Sequence, residues 1–260
     1  MFDHGRTVAC GDTHIFVSEA GRADGKAVVL LHGGLGSRKD FEPLAAFLAD
    51  DCRLIAIDAR GHGRSSPGTA PMSYRQLAED AAAVLKTLGL AHAGIVGHSD
   101  GGIVALRLAA FGLFQPRFVI AVAAHWDLPE ADPTREIYAG VTAEEWRQMF
   151  ADQVERYEAE NPDPDFDRLF AATKAMWLAS DGNAYPGERV RDIASPLLVV
   201  HGDEDFLVSR RQAFDLAERV EGARLLNLPF ASHTVLEDSP EEVVAALRAF
   251  MGQAGAQERQ

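Results

Sequence analysis

Ser99 stands in the run Gly97-His98-Ser99-Asp100-Gly101, between a short apolar stretch, Ala93-Gly94-Ile95-Val96, and a helical one, Ile103-Val104-Ala105-Leu106-Arg107-Leu108-Ala109. A serine between glycines at a strand-to-helix junction rides on a tight turn that lifts its hydroxyl clear of the sheet, where it can act as a nucleophile. The glycines have a mechanical role. The serine backbone is strained, and a Cβ at Gly97 or Gly101 would crowd the neighbouring strand and helix. A serine hydroxyl needs a base, and His233 closes the run Pro229-Phe230-Ala231-Ser232-His233 behind the last strand. The base needs an acid to fix its tautomer, and His201-Gly202-Asp203-Glu204-Asp205 offers Asp203 and Asp205. The glycine-rich run His32-Gly33-Gly34-Leu35-Gly36 leaves backbone N–H groups free to face a developing oxyanion, and the N–H of Asp100 is the expected second donor. Serine, acid and histidine in this chain order predict acyl transfer through an ester intermediate.

The elements that must position these groups alternate along the chain. Arg6–Cys10 and His14–Ser18 flank Gly11-Asp12 and read as a hairpin. Ala27–Leu31 is a continuous apolar run, as expected of a strand buried on both faces. A helix near Phe41–Leu48, the strand Arg53–Ile57 and a helix over Ser73–Leu88 follow. Beyond the serine turn come strands at Arg117–Val122, Pro196–Val200 and Arg224–Leu228, and helices near Arg211–Val220 and Glu241–Phe250. This rhythm predicts an α/β fold: a mostly parallel sheet with helices on both faces and an antiparallel hairpin at one edge. In such sheets chemistry gathers at the carboxyl ends of the strands, where all three runs fall. Gly252–Gln260 reads as a frayed tail.

The chain resembles the α/β-hydrolase family over nearly its whole length. Beside the serine turn, Asp58-Ala59-Arg60-Gly61-His62-Gly63-Arg64-Ser65 is similar to the family's Asp-x-Arg-Gly-x-Gly-x-Ser loop, which is architectural, so the resemblance gives Arg60 and His62 no catalytic role. It implies Asp205 rather than Asp203 as the acid, His233 as the base and Gly34 as the oxyanion donor. Ser232 stands where the family has glycine before the histidine, a departure that concerns loop packing. Many members that cleave lactones or carbon–carbon bonds, or form peracids, have methionine after the nucleophile; this chain has Asp100. Gly-His-Ser-Asp-Gly-Gly, Asp181-Gly182-Asn183 and the stretch from Val199 to Val208 are nearest to the biphenyl hydrolase-like (valacyclovirase) branch, in which that aspartate holds the ammonium of an amino-acid ester. A carboxylate beside the acyl position would attract an ammonium through a charge-assisted hydrogen bond. Alternatively, it complements the positive N-terminus of its helix. Asp100 itself does not fit as the nucleophile, because the position two before it, His98, is where the turn needs a very small residue.

Residues 125–187 break the rhythm and read as a helical cap between core segments 1–124 and 188–260. Thr142-Ala143-Glu144-Glu145 is a capping-box signature. Trp146, Met149, Phe150, Val154 and Tyr157 follow at helical spacing, and a second helix is expected from Asp165, with Phe166, Leu169, Phe170, Thr173 and Trp177 on one face. All three tryptophans lie here, so His125, Trp126, Trp146 and Trp177 are candidate substrate contacts, against the plainer reading of lid packing. The segment holds fourteen acids and five bases, −9 of the total −14. A negative lid favours neutral or cationic substrates, and the net charge argues against nucleic acid. Cys10 and Cys52 form no disulfide framework, and no paired His/Cys spacing suggests a metal. With no signal-like start and no long apolar run, a cytoplasmic enzyme without membrane attachment or cofactor is expected. The reading is a serine hydrolase of a small-molecule ester. A carbon–carbon hydrolase, lactonase or cofactor-free perhydrolase would share the triad, and a small-molecule receptor would share the fold.

Overall fold

In the computed structural model, which describes residues 1–257, eight strands form one sheet. They are β1 (Arg6–Cys10), β2 (Thr13–Gly21), β3 (Lys26–Leu31), β4 (Cys52–Ile57), β5 (Gly94–His98), β6 (Val119–Val122), β7 (Leu197–Gly202) and β8 (Arg224–Leu228). The order is β1-β2-β4-β3-β5-β6-β7-β8. β1 and β2 pair antiparallel, as do β2 and β4, and the remaining pairs are parallel. The sheet therefore has the expected parallel body and antiparallel edge. Strand alternation sends neighbouring side chains to opposite faces. Val29 and Leu31 join one core with α2 (Tyr74–Thr87) and α3 (Asp100–Ala110), while Val28 and Leu30 join the other with α1 (Glu42–Leu48) and α10 (Pro240–Gln257). Both faces are covered, which explains the unbroken apolar runs.

Helix starts follow the side chains that cap them. Ser73 accepts from the Gln76 N–H at the start of α2, and Ser209 accepts from the Gln212 N–H at the start of α8 (Arg210–Arg219). Two expectations change. α10 runs on to Gln257, with Met251 and Ala254 buried beside Leu247 on the core-facing stripe, so residues 252–257 are helix rather than tail. Residues 258–260, the rest of that expected tail, lie outside the described residues. The first helix expected in residues 125–187 is two: α5 (Ala143–Met149) and α6 (Ala151–Glu160) part at Phe150 (φ −130°, ψ 48°), which redirects α6 so that Val154 and Tyr157 reach the core. A helix absent from the sequence reading, α4 (Thr134–Gly140), precedes them. α7 (Phe166–Leu178) starts at its Asp165 cap as expected.

The 125–187 segment is tied down at the α6–α7 turn. The Asn161 amide donates to the carbonyls of Gly61, Gly63 and Ser65 at 2.8–3.2 Å. Fully buried Arg38 bridges Asp58 in the core to Glu160 at the end of α6, both at 2.8 Å. Asn161→Ala leaves buried carbonyls without a donor and is expected to cost about 1–3 kcal/mol. Urea denaturation measures it, and a midpoint equal to wild type would contradict this anchoring. No helix among the described residues is long and apolar enough to cross a membrane.

Candidate active site

β5 delivers Ser99 to the carboxyl edge of the sheet in a conformation that L-residues rarely adopt, φ 51° and ψ −117°. A Cβ on Gly97 would meet the Gly101 carbonyl, and one on Gly101 would meet the Leu31 carbonyl of β3. The two glycines are thus what lets strand and helix close around the serine. The turn is pinned by the Ser99 N–H, which donates to the Val122 carbonyl at 2.8 Å, and by the Ser99 carbonyl, which accepts from Ile103 at 3.0 Å.

The loops after β7 and β8 meet above this turn. His233 Nε2 lies 3.0 Å from Ser99 Oγ, and His233 Nδ1 lies 2.9 Å from Asp205 Oδ2. The other Asp205 oxygen accepts from the Leu207 and Val208 N–H groups at 2.8 and 2.9 Å. Burial pushes the Asp205 carboxyl up, but the His233 hydrogen bond and charge, with the two N–H groups, hold it below the usual range. Asp203, the other candidate acid, does not reach His233. Instead it pairs with Arg210 and accepts from Asn227 at 3.2 Å, and the local N–H groups belong to Asp205.

His98 makes a contact that its sequence position alone does not announce. Its Nε2 donates to the His233 carbonyl at 2.9 Å, so the residue before the serine braces the loop of the histidine. His62 and His32 shape the glycine loop. His62 donates from Nδ1 to the Arg60 carbonyl and accepts the Leu35 N–H at Nε2 (3.1 Å), while His32 accepts the Ala59 N–H (2.9 Å). With the Leu35 N–H taken, the Gly34 N–H remains without a partner among the described residues, as does the Asp100 N–H in the first turn of α3. Arg60 forms a two-pronged pair with Asp80 at 2.8 and 3.0 Å.

The Asp100 side chain is 5 % exposed. It accepts from Tyr74 Oη at 2.7 Å and from Trp177 Nε1 at 2.9 Å, and a Cβ on Gly34 would touch both its carboxylate and the Trp177 ring. Burial raises its pKa against those two hydrogen bonds. Tyr74 went unnoticed in the sequence because nothing in α2's periodicity links it to a residue 26 positions on. Trp177 stacks on Tyr138 of α4 at 4.8 Å and lies 6.0 Å from Trp146, which also contacts Phe150 and Phe170. His125 sits edge-on to Tyr138 and Tyr185. These rings form an aromatic arch beside Asp100. Trp126 stands apart from it, under the Arg219 guanidinium of α8 at 4.1 Å.

Burial pushes His62 down to about 3, and His98 and His125 to about 4. Unfolded, these rings take up protons near pH 6.5; folded, they stay neutral. Between those limits the unfolded state binds more protons, so stability falls as the pH drops, by up to about 4 kcal/mol per pH unit for three such groups. The thermal midpoint is expected to decline steeply from pH 6.5 to 5, above the carboxyl range. A flat profile over that interval would count against three neutral buried rings.

A model of the alpha/beta hydrolase family matches residues 28–246. The chain belongs to the alpha/beta hydrolase family. It is 30% identical over 269 residues to 2-(acetamidomethylene)succinate hydrolase of Mesorhizobium japonicum, covering 95% of this chain and 94% of that protein. With serine hydrolase BPHL of Mus musculus it shares 31% identity over 241 residues, covering 88% and 79%. The crystal structure of an E-2-(acetamidomethylene)succinate hydrolase superposes with a TM-score of 0.77 at 25% identity, covering 96% and 99% of the two chains. A meta-cleavage product hydrolase from Pseudomonas fluorescens IP01 shares the fold, with a TM-score of 0.81 at 19% identity over 96% of this chain and 98% of that one. This α/β-hydrolase is accordingly an enzyme, a hydrolase, and BPHL-like serine hydrolases are among its relatives.

Proposed function

We propose that this hydrolase cleaves a small-molecule carboxylic ester by acyl transfer, with no cofactor. The observation that carries the reading is the continuous relay from Asp205 through His233 to Ser99, at 2.9 and 3.0 Å. Ser99 Oγ attacks the ester carbonyl carbon while its proton passes to His233 Nε2. The tetrahedral oxyanion is received by the N–H groups of Gly34 and Asp100. Collapse breaks the C–O bond to the alcohol, which leaves with the proton from His233. Water then attacks the acyl-serine, gives its proton to His233, and the serine departs with that proton as the carboxylic acid is released. Asp205 holds the imidazole and balances its charge throughout. In this reading residues 125–187 act as the cap that keeps the arch over the site.

The lid argues against anionic substrates. Its five bases are all committed: Arg147, Arg156 and Arg168 face Asp167, Asp40 and Asp163, while Arg135 and Lys174 donate to backbone carbonyls. The test is labelling by a fluorophosphonate together with turnover of short p-nitrophenyl esters. Labelling confined to the Ser99 peptide, with ester turnover, supports the proposal; an unlabelled Ser99 overturns it.

One observation favours amino-acid esters within this class. The Asp100 carboxylate is buried beside Gly34 with only neutral donors, and buried charges ordinarily have a countercharge. A substrate ammonium would supply it. Asp100→Asn is then expected to lower kcat/KM for alanine esters at least tenfold more than for the equal-sized propionate esters. Equal losses on both would remove this reading and leave Asp100 as the brace between α2, α3 and α7.

A further inference from the structure

The Gly34 N–H can receive an oxyanion only if the peptide that carries it is turned the right way. A trans peptide points its N–H and its C=O in opposite directions, so whatever holds the Gly33 carbonyl also aims the Gly34 N–H. That carbonyl lies 2.7 Å from Nδ1 of His32. On the far side of the same ring, Nε2 lies 2.9 Å from the Ala59 backbone nitrogen, which can only donate. Nε2 therefore carries the lone pair and Nδ1 the proton, and His32 donates to the Gly33 carbonyl. Ala59 follows β4, and β4 and β5 flank β3 on opposite sides. The carbonyl is thus turned to the β4 side and the N–H to the β5 side, where Ser99 stands. The approach is close: a Cβ on Gly33 would come within 3.2 Å of the Ser99 Cβ.

His62 fixes the next peptide from the other loop. Its Nε2 accepts the Leu35 N–H at 3.1 Å and its Nδ1 donates to the Arg60 carbonyl at 2.9 Å, the same tautomer as His32. The brace is reciprocal. Each histidine accepts an N–H from the loop that carries the other, and the two rings lie 5.2 Å apart. Both are buried, so water does not compete for these bonds. The glycines have no side chains to pack, and a cavity of about 30 Å³ lies against them, lined by His32, Gly33, Gly34 and His62 among others. Hydrogen bonds rather than packing therefore hold their peptides. The Gly36 N–H closes the turn onto the Gly33 carbonyl at 3.2 Å, and Leu35 sits in the left-handed region at φ 60°, which a leucine keeps only under constraint.

We propose that His32 and His62 are positioning residues that hold the two successive peptides of the glycine loop and so aim the Gly34 N–H at the oxyanion. The proposal rests on the ester-hydrolase reading, which supplies that oxyanion. Both residues act through the backbone. His32 acts through Nδ1 on the Gly33 carbonyl, and a hydrogen bond there also polarises the peptide and strengthens its N–H as a donor. His62 acts through Nε2 on the Leu35 N–H. The other nitrogen of each ring ties the brace to residues 59 and 60.

The test uses the two side-chain amides, since asparagine places its amide near Nδ1 of a histidine and glutamine near Nε2. His32→Asn and His62→Gln keep the bond to the glycine loop, whereas His32→Gln and His62→Asn keep only the bond to residues 59 and 60. Each variant retains one hydrogen bond of two, so a merely structural role predicts similar losses within each pair. The expected result is crossed. Removing an oxyanion donor outright costs about 10²–10³ in kcat, so a mis-aimed one should cost about tenfold or more. With short p-nitrophenyl esters, kcat of His32→Gln should fall by that factor below His32→Asn, and kcat of His62→Asn by the same factor below His62→Gln, with KM moving far less. Equal losses within each pair, or losses that follow the thermal midpoints, overturn the proposal. If a variant fails to fold, the imidazole proton–nitrogen NMR spectrum of the wild type carries the test. Both rings should hold their proton on Nδ1, and a proton on Nε2 of either overturns the brace. A wild type that neither turns over these esters nor is labelled at Ser99 by a fluorophosphonate overturns the ester-hydrolase reading itself, and the aim of the Gly34 N–H with it.

Discussion

Ser99→Ala is expected to lower kcat for short p-nitrophenyl esters by about a millionfold, the size of effect seen when a serine nucleophile is removed elsewhere. The proposed reaction forms its covalent bond at Ser99 Oγ, and no second nucleophile can take its place there. Asp100 is held by Tyr74 and Trp177, and His233 is already bonded to Asp205. The fold should persist. Ser99 Oγ makes one contact, to His233, and the turn is held by backbone bonds to Val122 and Ile103 that alanine retains. Circular dichroism and a thermal midpoint within a few degrees of wild type, with turnover at background, make up the expected result. Turnover within tenfold of wild type would refute the mechanism.

Asp205→Asn is expected to cost about 10⁴-fold in kcat while leaving the shape of the site intact. The asparagine carbonyl oxygen can still accept from the Leu207 and Val208 N–H groups, which turns its amide toward His233 Nδ1. Nδ1 must then accept rather than donate, so the ring proton moves to Nε2. The face toward Ser99 can no longer take the hydroxyl proton. A lost tautomer lowers kcat with little change in KM, whereas a misfolded loop would alter both. Asp203→Asn is the control. That carboxylate faces Arg210 and Asn227 and should change kcat less than threefold. A large loss at Asp203 with a small one at Asp205 would reverse the assignment.

Local patterns carried much of the fold. Continuous apolar runs such as Val28–Leu31 report strands buried on both faces, because parallel strands have no solvent side. Glycines at Gly97 and Gly101 report a turn because any Cβ there meets backbone. Patterns misled where a local rule competed with packing. Helical spacing runs through Phe150, yet the helix breaks there so that α6 can turn Val154 and Tyr157 inward. The tail looked polar and glycine-containing, but Met251 and Ala254 fall on the buried stripe and extend α10. α4 went unread although Asp132-Pro133-Thr134 marks its start, with Asp132 accepting the Thr134 N–H at 2.9 Å.

By itself, the sequence determined the class of architecture, the serine turn, the chain order of serine, acid and histidine, and the excess of acid in the 125–187 segment. These are properties of neighbours in the chain: period, turn chemistry and composition. Only the tertiary structure decided which partners meet across it. It brought His98 to the His233 carbonyl, Tyr74 and Trp177 to Asp100, His62 to the Leu35 N–H, and left Nε2 of His125 unpaired. Those contacts join residues from 26 to 135 positions apart, and they exist only because the parallel sheet sets the carboxyl ends of β3, β5, β6, β7 and β8 side by side.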